Sequence, residues 1–229
     1  MAKAGRGFLL RRTRPVNWHD LQRLEPIDRR FGMTRGTPVD RFYIERFLAA
    51  HRSHVHGHVL EVGDARYTSM FGGDGVTKSS VLHAEGGNPK ATIVGDLTQG
   101  LPGLDGSFDC LILTQVVHVT FDITAAAATI RRLCRDGGTA LITVPGISQV
   151  SRYDMERWGD YWRFTALSAR RLFADAFGVD NVEVVAYGNV LTAVALLHGI
   201  AAEELTEEQL LSFDPDYPVI LGVVARATS

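Results

Sequence analysis

The run Phe108–Thr114 (Phe-Asp-Cys-Leu-Ile-Leu-Thr) is almost unbroken in its apolar character. A strand covered by helices on both faces has that signature, because neither face meets water. Comparable runs recur at 58–63, 75–82, 91–94, 139–144, 182–187 and 219–225. Between them lie stretches of helical spacing: a helix from Pro38 to about His51, the Ala-rich 123–133, the amphipathic 167–177, then 190–205 and a short helix capped by Thr206-Glu207-Glu208-Gln209. Strands alternating with helices imply βαβ units whose right-handed crossovers put helices on both faces. The expectation is an α/β fold: a doubly wound, mostly parallel seven-stranded sheet with an N-terminal helical cap.

At 229 residues, 45% hydrophobic and 22% charged, the chain has the size and balance of one globular domain. No linker, repeat or low-complexity block divides it. The formal net charge of −2 argues against nucleic acid as the partner of the whole molecule. Basic residues concentrate at the start: Lys3, Arg6, Arg11, Arg12, Arg14, Arg23, Arg29, Arg30 and Arg35 face only Asp20, Glu25 and Asp28. Residues 1–36 are therefore read as a basic arm or cap, and 37–229 as the main domain. The arm is either solvated or a guide for an anionic acceptor; Trp18, Leu21, Leu24, Ile27 and Phe31, at roughly helical spacing, read as folded. No apolar run is long enough for a bilayer, and Cys110 and Cys134 read as buried thiols in a reducing compartment. The expected location is the cytoplasm, away from membranes.

In open α/β sheets ligands lie beyond the carboxyl ends of the strands. The first strand ends in Glu61-Val62-Gly63-Asp64-Ala65-Arg66-Tyr67-Thr68. Gly63 permits a tight turn, and the following helix is expected to offer unpaired N–H groups to an anionic group. Val94-Gly95-Asp96-Leu97, Gln115-Val116-Val117-His118 and Val144-Pro145-Gly146 follow the third, fourth and fifth strands. Taken together, these segments resemble the class I S-adenosylmethionine-dependent methyltransferases over about 39–226. The Asp-x-x-Tyr-Thr turn and the segment Asp160-Tyr-Trp-Arg-Phe-Thr165 resemble a bacterial small-molecule branch of sugar, polysaccharide and natural-product clusters.

That resemblance implies a Rossmann-like sheet and S-adenosylmethionine as cofactor. It would place Glu61 and Gly63 beside the methionine part, with Asp64, Ala65 and Tyr67 lining the turn and Arg41 and Tyr43 closing over it. Asp96 would accept from the adenine amino group, Leu97 would contact the ring, and Gln115 and His118 would flank the sulfonium. The family usually has an acid at the end of strand two for the ribose. Here that place is read near Ser79 and Ser80, neither acidic, so Ser80 stands in the cofactor set and Glu85 or His83 would compensate.

His118 is the first candidate base, being titratable near neutrality after strand four. Tyr153 and Asp160 join it as catalytic candidates. Tyr153, Trp158, Trp162 and Arg163, in an aromatic and Arg-rich loop after strand five, are expected to wall the acceptor, the arginine holding an anionic substituent. The same loop could instead anchor itself, with Trp162 buried and Asp160 pairing Arg163. His54-x-His56-x-His58 has no convergent Cys or acid and reads as surface, so no metal is expected. The expected activity is O- or N-methylation of a small, anionic metabolite or sugar, with a homodimer as the candidate assembly. The alternative is a degenerate methyltransferase-fold scaffold, favoured by Ala65 and the missing acid. A nicotinamide-dependent oxidoreductase ranks last, since the turn lacks G-x-G-x-x-G.

Overall fold

Neighbouring residues along the strands are buried on opposite faces, which splits the core in two. Leu60, Leu111, Leu113 and Ala140 pack in one cluster, whereas Val59, Cys110, Ile112 and Leu141 pack in another. A computed structural model describes residues 19–228. Its seven-stranded sheet comprises β1 (Gly57–Val62), β2 (Val76–His83), β3 (Ile93–Val94), β4 (Phe108–Thr114), β5 (Cys134–Pro145), β6 (Val182–Tyr187) and β7 (Ile220–Arg226). The order is β3-β2-β1-β4-β5-β7-β6, and the strand order reverses next to β1, between β1 and β4. The first five strands pair in parallel, and β7 runs antiparallel to both β5 and β6. The expected doubly wound, mostly parallel sheet is realised.

Helices α1 (Val39–Ala50) and α6 (Val190–His198) cover one face, through Phe47, Leu48, Ala193 and Leu196. Helices α3 (Ile123–Leu133) and α5 (Ala166–Phe177) cover the other, through Ile130, Leu133, Phe173 and Phe177. Shorter helices are α2 (Arg66–Phe71) after β1, α4 (Arg152–Met155) after β5, and α7 (Glu207–Leu211). Local chemistry fixes where the longer ones begin: Asp122, Thr165 and Asn189 accept backbone N–H bonds at the starts of α3, α5 and α6.

Several boundaries differ from expectation. The helix from Val190 stops at His198 because Gly199 turns left-handed (φ +69°), and a 3-10 turn, Ala202–Glu204, replaces the rest. Strand β5 starts at Cys134, directly after α3, rather than at 139. In the cap, α1 is the helical part. Between 19 and 38 the only helical turn is His19–Leu21, and Leu24 is fully exposed. Pro26, Gly32 and Gly36 interrupt any helix there. The segment is instead a strap: Ile27 and Asp28 donate their N–H groups to the His198 carbonyl, Thr37 bonds Glu203, and Arg35 pairs with Glu204. Trp18 and the arm's Lys3, Arg6, Arg11, Arg12 and Arg14 lie outside the described residues. His58 is not on the surface either; within β1 its ring bonds Ser80 Oγ (2.9 Å) and the Ser107 carbonyl (3.0 Å). Cys110 and Cys134 are buried and free. Among the described residues no helix is long and apolar enough to cross a membrane.

Candidate functional site

At the carboxyl end of β1 the chain turns at Gly63 (φ +90°). A Cβ added there would meet nothing within 4 Å, so the space above the turn is open. The first amides of α2 do not face that space unpaired. Arg66 N–H donates to Asp64 Oδ1 (3.0 Å), while Tyr67 N–H and Thr68 N–H donate to Glu61 Oε1 and Oε2 (3.0 and 2.7 Å). The expectation of a helix start offering free donors to an anion is therefore overturned, because two carboxylates already occupy them. Glu61 is 2% exposed, and its burial pushes its carboxyl pKa upward against the pull of these amides. A rim built this way suits a cationic or zwitterionic ligand better than a pyrophosphate.

Two clefts open at this end of the sheet. An inner one of about 290 Å³ lies between α1 and the β1 turn, lined by Glu61, Asp64, Arg66, Tyr67 and Thr114 among others. An outer one of about 380 Å³ lies between the strap and the loop after β5, with Arg29, Arg30, His118, Arg152 and Tyr153 in its walls. Asp40, Arg41 and Gln115 line both. Gln115 follows β4 with φ +55°, a left-handed conformation rare for a residue with a side chain. Its N–H donates to the Thr143 carbonyl, which holds the strained turn in place. Arg41 Nη1 donates to the Tyr67 hydroxyl (3.2 Å), tying α1 to α2 across the inner cleft. Asp40 was not among the sequence candidates; its carboxyl pKa is raised, chiefly by burial. Its signal in the sequence was an acid in the first turn of the helix that also carries Arg41.

The remaining cofactor candidates divide. Ala65 caps α2 beside Gly63. Asp96 is exposed just past β3 and accepts the Thr98 N–H (2.8 Å), while Leu97 beside it is buried in the core. Tyr43 does not close over the site: it is buried, its hydroxyl donates to the Leu210 carbonyl, and its ring stacks on Tyr187. Ser80 is misplaced as well. It pairs with Leu60 inside the sheet and bonds His58, whereas Val62 pairs with Leu82. The end of β2 is therefore His83, with Glu85 two residues beyond it, and Ser79 and Ser80 lie inside the strand.

On the acceptor side His118 is 6% exposed and its Nδ1 has no partner. Burial drives its pKa down to about 4, so the ring is neutral near pH 7. Its carbonyl accepts the N–H groups of Tyr161 and Trp162. Asp160 does not act as a base: both its oxygens engage Arg163, Oδ2 also takes the Ser151 N–H, and its pKa is lowered by those bonds despite burial. Arg163 in turn has no donor left for an anion. Its five N–H groups reach Asp160 and the carbonyls of Ser148, Gln149 and Trp162. Trp162 also leaves the acceptor set, since its indole N–H is held by the carbonyls of Thr120 and Phe121 and it lines neither cleft. Trp158 meets His83 edge-on (6.0 Å between ring centroids) and Tyr153 (5.9 Å), bridging the loop to the end of β2. Tyr153 stays in the outer cleft, exposed, with the Arg157 guanidinium 3.7 Å from its ring centroid. Arg30 and Arg152 line the same cleft and, among the described residues, make no ion pair.

Residues 57–142, from the first residue of β1 into β5, match the family described as a methyltransferase domain. The sheet to which that segment belongs is Rossmann-like. No curated protein matches the chain. Among solved structures, a SAM-dependent methyltransferase from Archaeoglobus fulgidus is 12% identical (TM-score 0.54), covering 81% of this chain and 93% of that one. The [4+2]-cyclase SpnF is 14% identical (TM-score 0.53; 85% and 84% covered). Phosphoethanolamine N-methyltransferase 2 of Haemonchus contortus, solved with phosphomonomethylethanolamine and S-adenosylhomocysteine, is 13% identical (TM-score 0.51; 80% and 52% covered). At such identities these likenesses speak for the fold, and the presence of a cyclase among them leaves the chemistry to the site.

Proposed function

We propose that the chain is an S-adenosylmethionine-dependent methyltransferase acting on the oxygen or nitrogen of a small anionic acceptor. The observation that carries the reading is the meeting of an acid-rimmed inner cleft and an Arg-bordered outer cleft at Asp40, Arg41 and Gln115. The inner cleft has the donor set for an amino-acid zwitterion. Carboxylates of Glu61 and Asp64 suit an ammonium, and the guanidiniums of Arg41 and Arg66 suit a carboxylate. The open space over Gly63 leaves room for the ligand, and Tyr67 completes that wall, with Ala65 at the start of the helix beside it. Asp96, just past β3 and two strands from β1, is assigned to the adenine amino group, with Leu97 packed in the core beside it. When bound, the cofactor supplies a methyl group already activated by its sulfonium.

What the protein adds is position and dielectric. Arg30 and Arg152 hold the acceptor's anionic group, and Tyr153 packs its apolar part. His118, which lines the outer cleft and is neutral by burial, accepts a hydrogen bond from the acceptor's hydroxyl or amine. The Asp160–Arg163 pair fixes the loop that forms the outer wall. A phosphorylated ligand in the Haemonchus contortus neighbour agrees with an anionic class of acceptor. Against the scaffold reading stands the outer cleft: a protein that only held the cofactor has no use for an open, Arg-bordered chamber beside it.

The test is transfer of isotopically labelled methyl from S-adenosylmethionine to a panel of small hydroxy and amino compounds, each with and without a phosphate or carboxylate. Transfer to anionic members that drops sharply in Arg30→Ala and Arg152→Ala supports the proposal. Transfer to uncharged members alone contradicts the acceptor class. Cofactor binding without transfer to any member favours the scaffold.

A further inference from the structure

We propose that Asp40 reads the charge on the sulfur of the methyl donor, so that the site takes S-adenosylmethionine in preference to S-adenosylhomocysteine. This rests on the assignment of the inner cleft to the cofactor. If cofactor and acceptor occupy the two clefts, the methyl group crosses where the clefts meet, and the walls they share are Asp40, Arg41 and Gln115. Gln115 carries no charge. Arg41 turns its guanidinium to the Tyr67 hydroxyl. Asp40 accepts the Arg41 N–H on Oδ1 (2.7 Å) and, among the described residues, forms no ion pair.

The neighbouring carboxylates are already engaged. Glu61 holds the Tyr67 and Thr68 amides, and Asp64 holds the Arg66 amide and faces Lys90 at 3.5 Å. Asp40 is thus the carboxylate of the junction with no salt-bridge partner among the described residues. Burial raises its pKa, the nearby Arg41 charge opposes that, and a sulfonium beside it favours its ionised form. It sits in the first turn of a 12-residue helix, which fixes its backbone. A sulfonium beside it is attracted; a thioether, the product's sulfur, is not. The attraction therefore ends with the transfer of the methyl group, which favours release of the spent cofactor.

Calorimetric titration of the wild type, Asp40→Asn and Asp40→Glu with S-adenosylmethionine and with S-adenosylhomocysteine tests this. The wild type is expected to bind the sulfonium form about tenfold more tightly than the thioether, the scale of one partly screened charge contact. Asp40→Asn removes that preference while shifting S-adenosylhomocysteine affinity less than about twofold, which also reports an intact site, and Asp40→Glu keeps it. Equal loss for both ligands in Asp40→Asn, or an unchanged preference, overturns the proposal. Failure of the wild type to bind either ligand removes the cofactor assignment itself, and this proposal with it.

Discussion

The two walls of the candidate site stand at the same end of the sheet but are built by different means. The inner wall is made from a strand end and the helix after it. Its order comes from local bonds: Glu61 and Asp64 satisfy amides two to seven residues away. The outer wall is a long loop between β5 and α5, with only the short α4 inside it. Its densest clasp is Arg163, which gathers Asp160 and three backbone carbonyls, with the Trp162 indole and the His118 carbonyl as further ties. A wall made of regular elements is robust to single changes. A wall held by a few side-chain clasps is less so, and between them it is free to vary, as a surface that selects its acceptor should be.

The largest expected effect follows from opening that clasp. Arg163→Ala leaves the Asp160 carboxylate, whose side chain has no exposure, buried without its partner. A loss of about 4 kcal/mol in chemical denaturation is expected. S-adenosylhomocysteine binding in the inner cleft should survive at temperatures where the variant is folded. Equal damage to both clefts would erase the contrast between the walls.

Next comes the pH dependence carried by His118. Its folded pKa of about 4 lies below the ordinary histidine value of 6.5, so the unfolded chain takes up the proton first. The stability it contributes is complete above pH 6.5 and is lost as the pH falls toward 4, by about 3 kcal/mol. Denaturation midpoints of the wild type and His118→Gln across that window should converge at low pH. Parallel curves would place the ring in water.

A smaller effect is expected on the inner wall. Glu61→Gln replaces a carboxylate that holds two amides with a group that can accept on one oxygen only. About 2 kcal/mol of stability should be lost, with weaker S-adenosylhomocysteine binding in calorimetry. Smallest is Ser80→Ala, which removes one bond to His58 at about 1 kcal/mol and should leave ligand binding unchanged. A clear loss of affinity there would return Ser80 to the cofactor set.

Periodicity made the sheet legible, since a two-face burial pattern is written directly in runs such as Phe108–Thr114. The turn at Gly63 was legible for the same reason. The register of β2 was not, because Val76–His83 begins with exposed residues whose polarity hides where the strand ends. Tyr43 and Arg41 share a helix but point to different sides, a distinction that depends on how α1 packs against β7 and α6 rather than on spacing. The residues of the loop after β5 were found as a group, yet which of them anchor and which face the cleft depends on the hydrogen bonds of Arg163 and Trp162, which only the folded chain displays. Asp40 escaped for a related reason: an acid in a first helical turn is ordinary, and only the position of both clefts around it makes it distinctive.

The central claim, that the inner cleft holds the cofactor, is tested most directly by calorimetric titration of the wild-type chain with S-adenosylhomocysteine. The account predicts saturable one-site binding in the micromolar range. No detectable heat with ligand at millimolar concentration would contradict it.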